Sequence, residues 1–142
     1  MSEENKAVVR RIFEAINKGD LDALDELIAA DGVNHDLPPG LPPEPEGTKA
    51  FLGMFLSAFP DLQMTVEDQI ADGDKVATRW TSTGTQTGEL MGIPATGKQV
   101  TVTGMDIHRI AGGKQVEHWG EFDQMAMMQQ LGVIPTPGEG GE

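Results

Sequence analysis

Apolar residues in the first quarter of the chain recur with the spacing of amphipathic helices. One apolar face has the positions i, i+3, i+4 and i+7 and consists of Val9, Ile12, Phe13 and Ile16. Gly19 can end this helix, because glycine readily adopts the left-handed conformation that closes many helices. Asp20 can then cap a second helix, whose apolar stripe consists of Leu21, Leu24, Leu27 and Ile28. The sequence therefore predicts two helices in succession.

A proline-rich segment follows the second predicted helix. Residues 36–47 contain five prolines and two glycines, a composition that can neither continue a helix nor pair within a sheet. Thr48 can cap a third helix, which Pro60 ends. The apolar stripe of this helix recurs every four residues and consists of Phe51, Phe55 and Phe59, widened by Leu52. We expect a stiff loop followed by an aromatic helix.

From Leu62 the apolar pattern changes to a period of two, as in a strand with one buried face. The predicted inner face holds Leu62, Met64, Val66 and Ile70, with Asp68 as its charged member. Further strands are predicted at about 75–85, 98–110 and 115–122, separated by turn sequences at 72–74 and 112–113. Helical spacing returns from Asp123 to Leu131, and Gly132 can stop this last helix.

Helices followed by an antiparallel meander indicate an α+β fold, with the helices packed on one face of a curved sheet. The length of 142 residues suits one domain, which we assign to residues 1–132, with residues 133–142 as a disordered tail. The other face of the sheet is left open and would carry Thr101, Thr103, Met105 and Ile107. Such a face predicts a homodimer.

Composition excludes several classes of function. With 23 acidic and 10 basic residues, the net charge of −13 repels nucleic acid and anionic membrane surfaces. The absence of cysteine excludes disulfides, thiolate nucleophiles and thiolate metal sites. The N-terminal residues lack the pattern of a secretory signal, and no run approaches the roughly 18 apolar residues that span a bilayer. We therefore expect a cytoplasmic protein.

The last two predicted strands form a hairpin that brings two histidines together. If alternate residues of both strands face the interior, a register with a three-residue loop, Gly112–Lys114, sets His108 opposite His118. Asp106 then lies within about 8 Å of His118. Two imidazoles this close cannot easily both be cationic, which leaves a neutral imidazole as a base near neutral pH. Alternatively, one histidine hydrogen-bonds a backbone carbonyl while the other packs in the core.

Five short motifs carry a resemblance to a known family. In chain order they are Val33–Asp36, Gly84–Gly88, Gly92–Lys98, Gly104–Ile110 and Lys114–Gln124. Together, from about Asn5 to Gly132, they resemble the SnoaL-like polyketide (ester) cyclases. The resemblance implies the cone-shaped fold of nuclear transport factor 2 and ketosteroid isomerase, with the N-terminal helices on the concave face. It also implies a small hydrophobic or conjugated carbonyl substrate and is consistent with a dimer.

Asp123 has a catalytic and a structural interpretation. The resemblance implies a catalytic aspartate, a general acid/base, at the end of the last strand, and Asp123 matches that position. The same residue precedes a predicted helix, where aspartate is a preferred N-cap, and a capping carboxylate is a weak base. A carboxylate with a pKa of about 4 removes a proton from carbon only if the carbanion is strongly delocalised, as in polyketides.

The remaining candidate residues would shape or line a cavity. The resemblance implies that His35 lies in the cavity, where it could donate to an enolate oxygen; the alternative is a surface-loop histidine. Asp106 and four aromatic residues are candidate substrate-binding residues if the interior of the cone is partly open. The aromatic residues are Phe55, Trp80, Trp119 and Phe122. Otherwise the tryptophans belong to the core.

No metal or other cofactor is expected, although opposed strand histidines can chelate. The glycines form no phosphate-binding loop. The leading hypothesis is a cofactor-free, cyclase-like enzyme of the lyase or isomerase type, which closes a ring by aldol-type addition or isomerises a conjugated ketone or ester. One alternative is a non-catalytic small-molecule-binding or assembly module on the same fold. Another is a dehydratase or epoxide hydrolase, and the hydrolase would be favoured by an Asp-Arg-Asp cluster.

Overall fold

Residues 2–134 are described by the computed structural model, in which helices flank a five-stranded sheet. The elements are helix α1 (Ser2–Lys18), a 3₁₀ helix (Leu21–Glu26), strand β1 (Ile28–Asn34), helix α2 (Glu46–Ala58), strands β2 (Gln63–Asp72), β3 (Lys75–Thr85), β4 (Gln99–Ala111) and β5 (Lys114–Phe122), and helix α3 (Gln124–Leu131). The sheet order is β1-β5-β4-β3-β2. The predicted α+β class with a curved, open sheet is confirmed.

Strand β1 replaces the second half of the predicted second helix. The helical turns after Asp20 are of the 3₁₀ type, and the Asp20 side chain makes no capping bond. From Ile28 the chain pairs with β5 in parallel, and the Leu27 carbonyl accepts from the Gln115 N–H at 2.8 Å. The prediction of a longer helix and a wholly antiparallel sheet was wrong because pairing with a distant strand overrides local helical spacing.

Helix α2 begins two residues before Thr48, so the prediction that Thr48 caps it was wrong. Instead, the Thr48 backbone N–H donates to the Glu44 carboxylate at 2.8 Å. A side chain four residues earlier therefore supplies the acceptor that a helix start needs. Gly47 permits this arrangement, because a β-carbon there would collide with the Pro42 carbonyl and lie 2.8 Å from the Leu37 side chain.

A bulge in β2 changes which of its side chains face the helices. The pairing register with β3 shifts between Val66 and Asp68, which leaves Glu67 as an extra residue. Beyond this point the alternation is reversed, so that Ile70 is 67% exposed and Asp68 is also exposed. The prediction that Asp68 and Ile70 belong to the inner face was wrong.

The β4–β5 hairpin has the predicted opposition of His108 and His118. The predicted three-residue loop was wrong, because Ala111 pairs with Lys114 and leaves a two-residue turn, Gly112–Gly113. Both glycines have positive φ angles, 59° and 78°, which a two-residue hairpin turn of type I′ requires.

A second bulge lies just beyond this turn, in β5. Ile110 pairs with Gln115 but Arg109 pairs with Glu117, so Val116 is the extra residue. Gln115 is therefore buried on the inner face, where strict alternation from His118 would have placed Val116.

The helices cover one face of the sheet and leave the other open. All four predicted core residues of α1 are buried, and α3 packs on β4 through Met127 and Leu131. On the open face, Met105 is 62% and Ile107 44% exposed. None of the helices in the described residues is sufficiently long and apolar to traverse a bilayer. Most of the predicted disordered tail, from residue 135 onward, lies outside the described residues.

Candidate active site

A cavity of about 150 Å³ lies between the helices and the inner face of the sheet. Its walls are mainly apolar and include Ile12, Phe55, Phe59, Trp80, Val102 and Phe122. Among its polar residues, a group in mutual contact comes from the end of β1, from β4 and from β5: Asn34, Asp36, Asp106, His108, Gln115 and His118. An apolar cavity with a few convergent polar groups is typical of a small-molecule site.

His108 is held as a neutral imidazole with a free lone pair. Its side chain is 2% exposed, and Nδ1 lies 2.7 Å from the Gln115 side-chain oxygen. Because that oxygen can only accept, Nδ1 carries the proton and Nε2 the lone pair. Nε2 has no hydrogen-bond partner in the described part of the chain. Burial, together with the adjacent charge of His118, lowers the pKa of His108 to about 4.

His118 is held in the opposite protonation state. The two imidazole ring centroids are 5.0 Å apart. Nδ1 of His118 lies 2.8 Å from side-chain oxygens of both Asn34 and Asp36, and Nε2 lies 3.5 Å from Asp106 Oδ2. Burial favours the neutral form, but the hydrogen bonds and charges of Asp106 and Asp36 outweigh it and raise the pKa of His118 to about 9.

Asp106 lies between the two imidazoles. Its Oδ2 atom is 3.5 Å from His118 Nε2 and 3.9 Å from His108 Nε2. Gly120, which pairs with Asp106 across the hairpin, makes room for this cluster. A β-carbon at position 120 would lie 2.7 Å from Asp106 Oδ1, 3.0 Å from His118 Cε1 and 3.1 Å from Asp36 Oδ2. Gly120 follows His118 by two residues, so both lie on the inward face of β5.

The same three side chains are the candidates for metal ligation in the described residues. The ligand atoms of Asp106, His108 and His118 lie within 4.8 Å of one another. A metal ion could bind His118 only by displacing a proton that Asp36 and Asp106 hold on its ring. The arrangement therefore suits a proton-bridged ion-pair network, and the absence of a metal cofactor stays a prediction.

A hydrogen-bonded chain links His118 to the end of the proline-rich loop. Asn34 Oδ1 faces His118, and Asn34 Nδ2 donates to the Thr48 hydroxyl at 2.9 Å. That hydroxyl donates to the buried Glu44 carboxylate at 2.7 Å. Only the histidine of the Val33–Asp36 motif was a predicted site residue, and this hydrogen-bonded chain was not predicted.

His35 and Trp119 lie on the outer face of the sheet. Their rings stack with centroids 5.0 Å apart and an interplanar angle of 12°. His35 Nε2 lies 2.6 Å from Glu117, whose pKa is lowered by hydrogen bonds from His35 and Arg109. Neither ring lines the cavity. The expectation that they do is corrected by the alternation of the backbone, which turns them away from the inward-facing residues on either side.

The other predicted site residues divide between the cavity and the surface. Phe55, Trp80 and Phe122 line the cavity, as expected. Asp123 does not line it, since its exposed carboxylate accepts from the Ala126 N–H at 3.0 Å and caps α3. Of the four predicted catalytic residues, the structure brings together only His108 and His118.

Helices on one face of an open curved sheet, with a polar cluster in the cavity between them, define an NTF2-like fold. The chain belongs to the SnoaL-like polyketide cyclase family, whose model matches residues 6–131. The suspected family membership is thereby confirmed. No curated protein matches the sequence significantly.

Three solved structures show how similar the chain is to members of this class. IdmH from Streptomyces antibioticus, a candidate polyketide cyclase, is 39% identical, with 91% of this chain and 99% of that chain covered and a TM-score of 0.79. TsrD from Streptomyces laurentii is 30% identical, with coverages of 93% and 97% and a TM-score of 0.85. AclR from Streptomyces galilaeus, a candidate hydroxylase, is 31% identical, with coverages of 96% and 85% and a TM-score of 0.85.

Proposed function

We propose that this protein is a cofactor-free cyclase that closes a ring in a conjugated ketone or ester by an aldol-type addition. The observation that carries the proposal is the pair of facing histidines in the cavity, of which one presents a lone pair and the other a proton. When the surroundings of two titratable groups drive their pKa values apart, the groups are suited to act as base and acid.

His108 is the base in this proposal. Its Nε2 lone pair takes a proton from the carbon next to the substrate carbonyl. A base with a pKa of about 4 can do so only if the carbanion is strongly delocalised, for example between two carbonyl groups. The adjacent His118 cation would stabilise the resulting enolate.

His118 is the acid that completes the addition. The enolate carbon attacks a second carbonyl of the same molecule, and the alkoxide that forms takes the proton from His118 Nε2. The reaction leaves His108 protonated and His118 neutral. Asp106 Oδ2, which lies within 4 Å of both Nε2 atoms, is placed to return the proton from His108 to His118.

The size of the cavity restricts which part of a substrate can enter. A volume of about 150 Å³ is sufficient for one benzene-sized ring. We therefore propose that the reacting end of the substrate lies against Phe55, Trp80 and Phe122, while the rest of a larger polyketide stays outside.

The alternatives make different demands on the same cavity. A hydrolase would be favoured by an Asp-Arg-Asp cluster, but the described residues that line this cavity place a histidine, not an arginine, between Asp36 and Asp106. A non-catalytic binding module would need no base and would leave substrate protons unexchanged.

Proton exchange tests the proposal without knowledge of the natural substrate. We expect the protein to accelerate deuterium incorporation into a cyclic 1,3-diketone, followed by NMR. We expect His108→Gln, which retains a polar side chain of similar size, to lower this acceleration on the order of 10²–10⁴-fold. Melting curves of both proteins must agree, since unfolding would imitate the defect. Equal exchange by a folded His108→Gln variant would reject His108 as the base.

A further inference from the structure

We propose that Thr48 and Glu44, which do not touch His118, are positioning residues that set the direction of the hydrogen bond between Asn34 and His118. This inference deepens the proposed function. It rests on that function only for the effect on turnover, since the hydrogen-bond direction can be tested without catalysis. It follows from the direction in which each group of the chain can donate.

Glu44 determines the direction at the far end of the chain. It is a buried residue, 7% exposed, whose carboxylate accepts from both the backbone N–H and the hydroxyl of Thr48. An ionised carboxylate can only accept. The single Thr48 hydroxyl proton is therefore directed to Glu44, and the hydroxyl lone pairs are left for another donor.

The Thr48 lone pairs help to fix the orientation of the Asn34 amide, whose Oδ1 atom also accepts from the Asp36 backbone N–H at 3.2 Å. Asn34 Nδ2 donates to Thr48 Oγ1 at 2.9 Å, so Oδ1 points the other way, 2.8 Å from His118 Nδ1. If the amide were rotated by half a turn, two N–H donors would face each other at His118. The chain therefore keeps an acceptor, rather than a donor, against the imidazolium.

Asn34 and the charged groups around His118 together hold the proton on the imidazole ring. Asp36 accepts from the same Nδ1 atom, and Asp106 faces Nε2 from β4, where neutral His108 is the other titratable neighbour. The two carboxylates supply most of the attraction for the proton, so the neutral amide should contribute a smaller share. Loss of the chain should weaken the proton affinity of His118 without abolishing it.

A pair of substitutions at position 48 isolates the hydroxyl. Thr48→Val keeps the branched shape and removes the hydroxyl, whereas Thr48→Ser keeps the hydroxyl and removes the methyl group. We expect NMR titration of the His118 ring to show a midpoint lower by about one pH unit in Thr48→Val, a tenfold loss of proton affinity. We expect Thr48→Ser to titrate like the parent.

Glu44→Gln provides an independent test. The amide of the new glutamine can donate to the Thr48 hydroxyl, so the hydroxyl proton can turn toward Asn34. The Asn34 amide is then free to rotate. We expect the His118 midpoint to fall in this variant too. A parental midpoint in folded Thr48→Val and Glu44→Gln, or an equal fall in Thr48→Ser, would overturn the inference.

The titration separates this inference from the proposed function. If the parent protein exchanges no diketone protons but the His118 midpoints shift as expected, the cyclase proposal fails and the positioning role stands. If exchange occurs and the midpoints do not shift, the positioning role fails and the cyclase proposal stands.

Discussion

The two faces of the sheet around β5 carry histidine–carboxylate pairs in different surroundings. On the inner face, the side chains of His108 and His118 are 2% and 13% exposed and flank Asp106. On the outer face, His35 pairs with Glu117 at 2.6 Å, but 43% of its side chain is exposed. Water and salt screen the outer pair, whereas burial strengthens both desolvation and charge effects inside. On the inner face, burial keeps His108 neutral, whereas Asp36 and Asp106 keep His118 charged against the same effect of burial.

The largest expected effect is the pH dependence of proton exchange, which the two inner histidines should determine. The base must be neutral, so activity should be lost as pH falls through about 4, where His108 becomes protonated. The acid must be charged, so activity should also be lost as pH rises through about 9, where His118 loses its proton. Each limb should approach a tenfold change per pH unit. A rate profile with a midpoint near the ordinary histidine value of about 6.5 would contradict the comparison.

Folding stability should respond to the same inner histidine. The pKa of His118 is 6.5 in the unfolded chain and about 9 in the folded protein. Its contribution to the free energy of unfolding is therefore complete below pH 6.5 and is lost as pH rises through 9. Urea unfolding between pH 6.5 and 9 should therefore show falling stability. His118→Gln should flatten this slope, and an unchanged slope would count against the ion-pair network.

A methyl group at position 120 should destabilise the protein, whereas the same change in helix α2 should not. Gly120→Ala places a β-carbon against Asp106 and His118, and we expect a destabilisation of about 1–3 kcal/mol. The matched control is Gly53→Ala in helix α2, where the nearest atom is 3.8 Å away and alanine should stabilise the helix by about 0.5–1 kcal/mol. Equal melting temperatures for the two variants would show that the cluster has room to spare.

The outer face should matter for assembly rather than for chemistry. Ile70, Ala77, Ile107 and Trp119 pair in one row across four strands, and we propose that this row contributes to a homodimer. Light scattering should report a dimer for the parent and a shift toward the 15.2 kDa monomer for Ile107→Asp. A monomeric parent at micromolar concentration would refute the dimer. The cytoplasmic location also stays a prediction.

The smallest effects should come from the predicted site residues outside the cavity. Asparagine can replace aspartate as an N-cap, so Asp123→Asn should melt like the parent and exchange protons at the parental rate. His35→Gln should likewise retain exchange. A large loss of exchange in a folded Asp123→Asn variant would instead support the catalytic role that the family resemblance implied.

The sequence predicted those parts of the fold that depend on local pattern. Helix α1 and the strands β3 to β5 follow from spacing and turn residues, and the opposition of His108 and His118 follows from alternation along one hairpin. The polar cluster of the site was predicted only as far as this hairpin extends. Asn34 and Asp36 reach His118 across 84 and 82 residues of sequence through a parallel pairing that leaves no local signal.

The extra residue Val116 also has a consequence for how such a site can change. The two-residue turn pairs Ile110 with Gln115, and without the bulge this register would continue and set His108 opposite Glu117. The cavity would then receive Glu117 and Trp119, while His118 would face solvent. Strand β5 thus carries two alternative sets of cavity residues, one on each face, and the bulge at Val116 determines which set faces the cavity. Evolution or design could therefore change the chemistry of this cavity by removing the bulge, without substituting any reactive residue.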